Sequence, residues 1–119
     1  MSSKKIFHCF KAYDIRGQLD TEFDESIAYR IGRASAQVLR AKSVVLGFDA
    51  RATSPNFANA VAKGICDAGA KVLSIGLAGT EEMYWSVTAL DADAGIEVTA
   101  SHNPIDYNGM KIVGRGSQP

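Results

Sequence analysis

The segment Thr99–Pro104 (Thr-Ala-Ser-His-Asn-Pro) contains the residues best suited to chemistry. Ser101 is a candidate nucleophile, since a hydroxyl becomes reactive where a base or a strained, positive setting activates it. Pro104 restricts Asn103 to an extended backbone, so the chain does not coil back into a helix at this point. The spacing therefore presents Ser101 and His102 on an exposed turn.

Lys111 is the first basic residue after this turn. It alternates with Met110 and Ile112, and because successive strand side chains point to opposite faces, it should lie on a different face from them. From there it could reach back to the turn as a compact positive charge for a phosphate. The alternative reading of the same spacing is a solvated Ser-His pair in a surface loop, with Lys111 in water on an edge strand.

Two other kinds of site are disfavoured by the motifs. Adjacent Ser101 and His102 point apart, so His102 is badly placed as a base for its neighbour, and no G-x-S-x-G elbow of a hydrolase is present. Neither a G-x-x-x-x-G-K-[ST] loop nor a G-x-G-x-x-G fingerprint follows a predicted strand, which argues against nucleotide binding.

Helices and strands alternate along the chain and must position these residues. Asp24 is a good N-cap for a first helix that ends near Ala41, with an apolar stripe at Ile27, Ile31, Ala34 and Val38. Ser54 and Pro55 begin a second helix, with Ser54 as its cap. The remaining predicted elements are a third helix over 81–90, strands over 44–48, 72–76, 95–99 and 110–113, and a tight turn at 108–109. This order predicts an α/β fold, a three-layer α/β/α arrangement with a mixed, mostly parallel four-stranded sheet whose last strand is antiparallel and at an edge.

Ligands of open α/β sheets bind outside the carboxyl ends of the parallel strands. The predicted topology gathers residues from three such loops along one edge, namely Asp49, Arg51, Thr80, Ser101 and His102. Asp49 and Arg51 fit a structural ion pair at a strand end as well as a functional one.

Composition excludes several classes of protein. Thirteen Lys and Arg residues balance thirteen Asp and Glu residues, so no net field favours nucleic acid or an anionic membrane surface. No stretch approaches the ~18 apolar residues of a membrane span, and no apolar run follows the basic start as in a secretory signal. The two cysteines lack metal-ligand spacing. We therefore expect a reduced, cytoplasmic protein with no nucleic-acid or membrane partner.

Four motifs together resemble the N-terminal domain of the α-D-phosphohexomutases, the phosphomannomutase/phosphoglucomutase family. They are Tyr13–Gly17 (Tyr-Asp-Ile-Arg-Gly), Gly47–Arg51 (Gly-Phe-Asp-Ala-Arg), Thr99–Pro104 and Tyr107–Lys111 (Tyr-Asn-Gly-Met-Lys). They occur in the family's order, and the resemblance extends over nearly the whole chain. It favours the reactive reading of Ser101 over the solvated one.

The resemblance implies a role for each residue. Ser101 would carry the catalytic phosphate, through which it would bind Mg²⁺, and His102 and Asn103 would help to hold that phosphate. Arg16 and Lys111 would lie beside the reacting hydroxyl as proton-transfer and charge-stabilising groups, with Tyr13 lining the site. Asp49 and Arg51 would be architectural.

The implied reaction is a double phosphoryl transfer between a phosphoserine and a hexose phosphate through a bound bisphosphate. Gly79–Glu82 (Gly-Thr-Glu-Glu) favours a phosphomannomutase of GDP-mannose biosynthesis that interconverts mannose 6-phosphate and mannose 1-phosphate. Phosphoglucomutase, phosphoglucosamine mutase and a non-catalytic sugar-phosphate-binding module stay open. Residues 1–119 would be domain I of a four-domain enzyme, inactive without the domains that supply the other Mg²⁺ ligands and read the sugar, and 114–119 would be a linker or a cut.

Overall fold

The computed structural model describes residues 12–19, 21–100, 103–104 and 106–117, apart from the side chains of 12, 13 and 117. Its strands are β1 (Ala12–Gln18), β2 (Ser43–Phe48), β3 (Lys71–Leu77), β4 (Ala94–Val98) and β5 (Tyr107–Gly114). Its helices are α1 (Glu25–Val38), α2 (Ser54–Asp67) and α3 (Thr80–Ala89), and a 3₁₀ helix follows at Arg115–Ser117. No described helix is long and apolar enough to cross a membrane.

One sheet contains the five strands in the order β1-β5-β4-β2-β3. Strand β2 pairs in parallel with β3 and β4, whereas β5 is antiparallel to both β4 and β1. The predicted α/β class and the antiparallel last strand are confirmed. The strand count was wrong by one, because β1 adds itself to the sheet and takes the edge position that we predicted for β5.

Gly109 allows β1 to lie against β5. The predicted turn at Asn108 and Gly109 is wrong, because both residues lie inside β5, opposite Gly17 and Arg16. A Cβ atom at position 109 would collide with the carbonyl oxygen of Ile15. An Asn-Gly pair is a strong turn signal when nothing else is known, but here the glycine serves the close approach of another strand.

The helices cover both faces of the sheet, as the three-layer prediction requires. Helices α1 and α2 pack on one face over Val44, Leu46 and Ile96, and α3 packs on the other over Val45 and Val113. The side chain of Asp24 accepts a hydrogen bond from the Ile27 amide and caps α1 as predicted.

The predicted stripe of α1 is confirmed in part, because Ile27 and Ile31 pack half-buried against the core, while Val38 is exposed. The fully buried residues of the helix are Ala28, Gly32, Ser35 and Ala36. The α1–α2 contact is a close backbone approach, because a Cβ on Gly32 would lie 2.5 Å from the carbonyl oxygen of Val61. Small side chains thus define the contact face, which a search for large apolar residues does not detect.

The segment after β5 packs against the domain, and the linker prediction is wrong for 114–117. Gly114 ends β5, and the Arg115 guanidinium donates to Asp91 and to Asp93, both at 2.6 Å. The other carboxylate oxygen of Asp93 accepts from the Lys42 amide at 2.7 Å. Arg115 therefore ties the end of β5 to the turns that precede β2 and β4. Residues 118 and 119 lie outside the described residues.

We expect Gly109→Ala to destabilise the domain by about 1–3 kcal/mol, because the new methyl group must displace the Ile15 backbone from β5. Gly114→Ala is the matched control, since it lies in the same strand and a Cβ there meets nothing within 4 Å. Urea unfolding of the two variants measures the difference. Equal midpoints for both would contradict the close approach as the reason for Gly109.

Candidate functional site

The carboxyl ends of β2 and β4 and the start of β5 meet at one edge of the sheet. The Asp49 amide donates to the Val98 carbonyl at 3.0 Å, and the Thr99 amide donates to the Gly109 carbonyl at 2.9 Å. These bonds hold the loop between β4 and β5, residues 99–106, which we call the serine loop. On its far side the Leu19 amide donates to the Asp106 carbonyl at 2.8 Å, so the end of β1 holds the loop as well.

Arg51 binds the serine loop through backbone carbonyls. Its guanidinium donates to the carbonyl oxygens of Asn103 at 2.5 Å, Pro104 at 2.7 Å and Tyr107 at 3.2 Å. Its Nε lies 3.5 Å from a carboxylate oxygen of Asp49. The planar guanidinium suits several acceptors at once, which a lysine does not. Arg51 therefore fixes the course of the loop just after Ser101 and His102.

Asp49 anchors Arg51 and is itself anchored. One carboxylate oxygen accepts from the Arg51 amide at 3.1 Å and from the Ser54 hydroxyl at 2.5 Å. The buried Asn108 amide group donates to Thr53 at 2.8 Å and to Ser54 at 3.0 Å. Thr53, not Ser54, occupies the N-cap position of α2, so Ser54 is free for this network. We call these five residues the Arg51 network.

A second group of side chains, the Arg16–Lys111 cluster, adjoins the serine loop. Arg16 donates to the side-chain oxygen of Asn103 at 2.8 Å and to the two carboxylate oxygens of Asp14 at 3.2 and 2.9 Å. The Lys111 ammonium lies 3.4 Å from Asp14. The pairing of β1 with β5 places Asp14 directly opposite Lys111 and so brings the two cations together.

The electrostatics of this cluster favour a charged Asp14. Partial burial by itself would raise the pKa of Asp14, but the hydrogen bond from Arg16 and the charge of Lys111 hold it below its usual range. The same contact raises the pKa of Arg16. With Asp14 ionised, the cluster keeps one net positive charge beside Asn103, which suits an anion such as a phosphate.

The structure brings together three of the predicted site residues, Arg16, Asn103 and Lys111. Ser101 and His102 lie outside the described residues, as does the side chain of Tyr13, whose backbone is in β1. Thr80 begins α3 and shares no hydrogen bond with the Arg51 network within the described ranges. The Asp49–Arg51 ion pair is confirmed, and the Arg51 guanidinium also binds backbone carbonyls of the serine loop and of Tyr107.

Glu97 is a buried carboxyl group on β4. Its side chain is fully inaccessible, and neither carboxyl oxygen has a hydrogen-bond partner among the described residues. Burial, together with the nearby charges of Asp49 and Glu82, raises the pKa of Glu97 from its ordinary value of 4.5 to about 8. Gly47 leaves space for it, since a Cβ there would lie 2.6 Å from a Glu97 oxygen. Glu97 is therefore protonated at neutral pH.

The described residues contain no group of three or more His, Cys, Asp or Glu side chains that could hold a metal ion. The ligands present do not by themselves fit Mg²⁺.

Sequence reasoning missed Asp14, Ser54, Asn108 and Glu97 as site residues. Asp14 could have been found, because it is two residues from Arg16 and so shares its face in a strand. Glu97 also carried a signal, since a charged residue inside an apolar strand is rarely buried without a reason. Ser54 and Asn108 gave no such signal, because their contacts depend on how β5 lies beside α2.

Comparison with known protein families places the chain among the α/β domains of sugar-phosphate mutases. The family model described as "Phosphoglucomutase/phosphomannomutase, alpha/beta/alpha domain I" matches residues 8–119. The chain belongs to this family.

Named relatives agree with this assignment. The chain is 59% identical over 115 residues to a phosphomannomutase of Escherichia coli K12, and the aligned region covers 97% of this chain and 25% of that protein. It is 57% identical over 120 residues to a phosphomannomutase of Vibrio cholerae, covering 97% of this chain and 26% of that protein. The chain thus spans about a quarter of the length of these relatives.

A solved structure shows the same fold. It is the crystal structure of a phosphoglucomutase/phosphomannomutase family protein from Burkholderia thailandensis, with a TM-score of 0.81 and 39% sequence identity. The match covers 98% of this chain and 27% of that one.

The raised pKa of Glu97 makes a prediction about stability. The folded protein holds a proton that the unfolded chain releases, so the free energy of unfolding should fall as pH rises from 4.5 to about 8, then level off. The slope for one such group is at most about 1.4 kcal/mol per pH unit, which makes a total of a few kcal/mol. Urea unfolding across this range measures it, and Glu97→Gln should remove this component.

Glu81→Gln is the matched control, because Glu81 is an exposed carboxylate at the start of α3. It should keep the pH dependence of the unsubstituted protein. If Glu97→Gln keeps it as well, Glu97 is not the group that holds the proton.

Proposed function

We propose that this chain is the phosphoserine domain of a phosphomannomutase that interconverts mannose 6-phosphate and mannose 1-phosphate. The observation that carries the proposal is how the serine loop is held. Arg51 donates hydrogen bonds to three backbone carbonyls at the end of the loop, and Arg16 donates to the side chain of Asn103 on the same loop. Family membership and the phosphomannomutase names of close relatives support the reaction. Because the chain spans about a quarter of those relatives, it acts as domain I of a longer, four-domain enzyme.

The reaction begins with a phosphate on Ser101. A hydroxyl oxygen of the hexose phosphate attacks the phosphorus, the bond to the Ser101 oxygen breaks, and a hexose bisphosphate forms. The sugar then turns over, and its other phosphate passes back to Ser101. Such a transfer needs positioning and positive charge more than covalent help.

The chain's own residues supply the charge. Arg16 and Lys111 stabilise the transferring group and take part in moving the proton of the attacking hydroxyl. Asp14 holds both cations in place at 2.9 and 3.4 Å. His102 and Asn103 hold the phosphate, and Tyr13 lines the site.

The rest of the enzyme supplies what this domain lacks. A phosphate on Ser101 would supply one oxygen ligand to Mg²⁺, whose remaining ligands would come from another domain, and the ion would add positive charge near the transferring group. The sugar is read elsewhere too, so the isolated domain is inactive, and the enzyme works in the cytoplasm. Glucose 6-phosphate and glucose 1-phosphate are the second candidate substrates, because the matched family includes phosphoglucomutases.

We expect Ser101→Ala in the full-length enzyme to abolish mutase turnover, because no oxygen is left to carry the phosphate. Intact-mass spectrometry should find a phosphate on the unsubstituted protein and none on the variant. Ser26→Ala is the control, since Ser26 is exposed in the first turn of α1 and belongs neither to the Arg51 network nor to the Arg16–Lys111 cluster. Near-normal turnover of Ser101→Ala would exclude the phosphoserine.

We expect Arg51→Lys to lower kcat by about tenfold to a hundredfold, because a lysine cannot replace the bonds to three carbonyls and the serine loop shifts. The measurement is kcat on mannose 1-phosphate, with urea unfolding to show that the domain stays folded. Arg30→Lys on the exposed side of α1 is the matched control. An unchanged kcat in Arg51→Lys would show that loop position does not limit the reaction.

A further inference from the structure

Three residues stand in one row across three neighbouring strands. Lys111 on β5 is the register partner of Asp14 on β1 and also of Glu97 on β4. Directly opposed residues share a face of the sheet, with Cβ atoms about 4.5–5.5 Å apart. Lys111 therefore has a carboxyl group on each side, and only the contact with Asp14, at 3.4 Å, is made.

The second carboxyl group is held without a partner. Glu97 is fully buried, its oxygens accept no hydrogen bond within the described part of the chain, and Gly47 leaves the space that its carboxyl occupies. The charged groups that face it are Asp49 at the end of β2, Glu82 on α3 and Lys111 on β5. Lys111 is the cation among them.

We propose that Glu97 is a positioning residue for Lys111: the neutral acid leaves the Lys111 ammonium with Asp14, and the carboxylate competes with Asp14 for it. The consequence for catalysis rests on the proposed function, in which Lys111 acts beside Arg16. The competition itself depends only on the three side chains in the row.

The cost of an unpaired buried charge drives the competition. A carboxylate that forms at Glu97 has no hydrogen bond among the described residues and lies near two other carboxylates, so it gains from a movable cation in its own row. Arg51 is already fixed by Asp49 and three carbonyls, whereas Lys111 has a flexible stem and, within the described part of the chain, makes one ion pair, with Asp14. The pKa of Glu97, about 8, places this exchange just above neutral pH.

The movement of Lys111 would remove positive charge from the site at alkaline pH. As Lys111 turns from Asp14 toward Glu97, Arg16 alone stays beside Asn103 and pairs more completely with Asp14. We therefore expect the alkaline limb of the kcat profile to follow the ionisation of Glu97. Above its midpoint, kcat falls about tenfold per pH unit if only the protonated form is active.

The first test follows the Lys111 ε-methylene by NMR in this chain between about pH 6 and about pH 10. Its signals should shift with a midpoint near that of the Glu97 carboxyl carbon, about 8. Glu97→Gln should abolish this shift, and the exposed-site control Glu81→Gln should keep it. A Lys111 signal that does not move in this range, or moves equally in Glu97→Gln, overturns the proposal.

Asp14→Asn is a second variant, which works in the opposite direction. It removes the competitor, so Lys111 should pair with Glu97 more readily and the Glu97 midpoint should fall below that of the unsubstituted chain. An unchanged midpoint overturns the competition even if Glu97→Gln fails to fold.

The second test measures kcat against pH in the full-length enzyme. The unsubstituted enzyme and Glu81→Gln should lose activity above the Glu97 midpoint, and Glu97→Gln should lack that limb. An identical limb in Glu97→Gln overturns the catalytic part of the proposal. If the unsubstituted enzyme is inactive at every pH, the proposed function fails, whereas the NMR titration still decides whether Glu97 and Asp14 compete for Lys111.

Discussion

The contact on which the site depends most is the bond set of Arg51 with the backbone of the serine loop. This loop has no helix or strand of its own to fix it, and its backbone carbonyls need donors. One guanidinium supplies those donors to Asn103, Pro104 and Tyr107 and is oriented by Asp49. Because Asp49 is bonded to Ser54 at the start of α2, the loop takes its position from the rigid β2–α2 connection.

The middle of the chain could be predicted from local patterns, and the strands near its two ends, β1 and β5, could not be predicted in full. Strands β2 to β4 and the helices between them have apolar runs and stop signals that agree with their structure. Strand β1 has only a short apolar segment, Tyr13–Gly17, whose glycine predicts a turn although it lies inside the strand. As an edge strand, β1 depends on pairing with β5, which begins at Tyr107, 89 residues after Gln18. The Asn108–Gly109 pair has a turn signal, and only the position of Ile15 shows why glycine is needed there.

Prediction of the site followed the same division. The topology gathered Asp49 and Arg51 at the carboxyl edge of the sheet, where they are found, but it could not show that Arg51 binds loop carbonyls. The approach of Arg16 and Lys111 depends on the β1–β5 register, which no local pattern contains. The resemblance to a family supplied Arg16, strand alternation had already pointed to Lys111, and the structure supplies Asp14, which joins them.

The net charge of the Arg16–Lys111 cluster depends on how many carboxyl groups in its row of the sheet are ionised. A phosphate dianion is attracted by Arg16 and Lys111 only to the extent that nearby carboxylates leave them uncompensated. Asp14 is needed, because two cations in adjacent strands repel each other without it. A second ionised carboxylate in the same row would cancel the remaining positive charge. Burial of Glu97 beside Gly47 prevents this at neutral pH by keeping its proton bound. The close packing of β4 against α3, where Gly95 meets Met83 and Val87, therefore helps to set the electrostatics of the site.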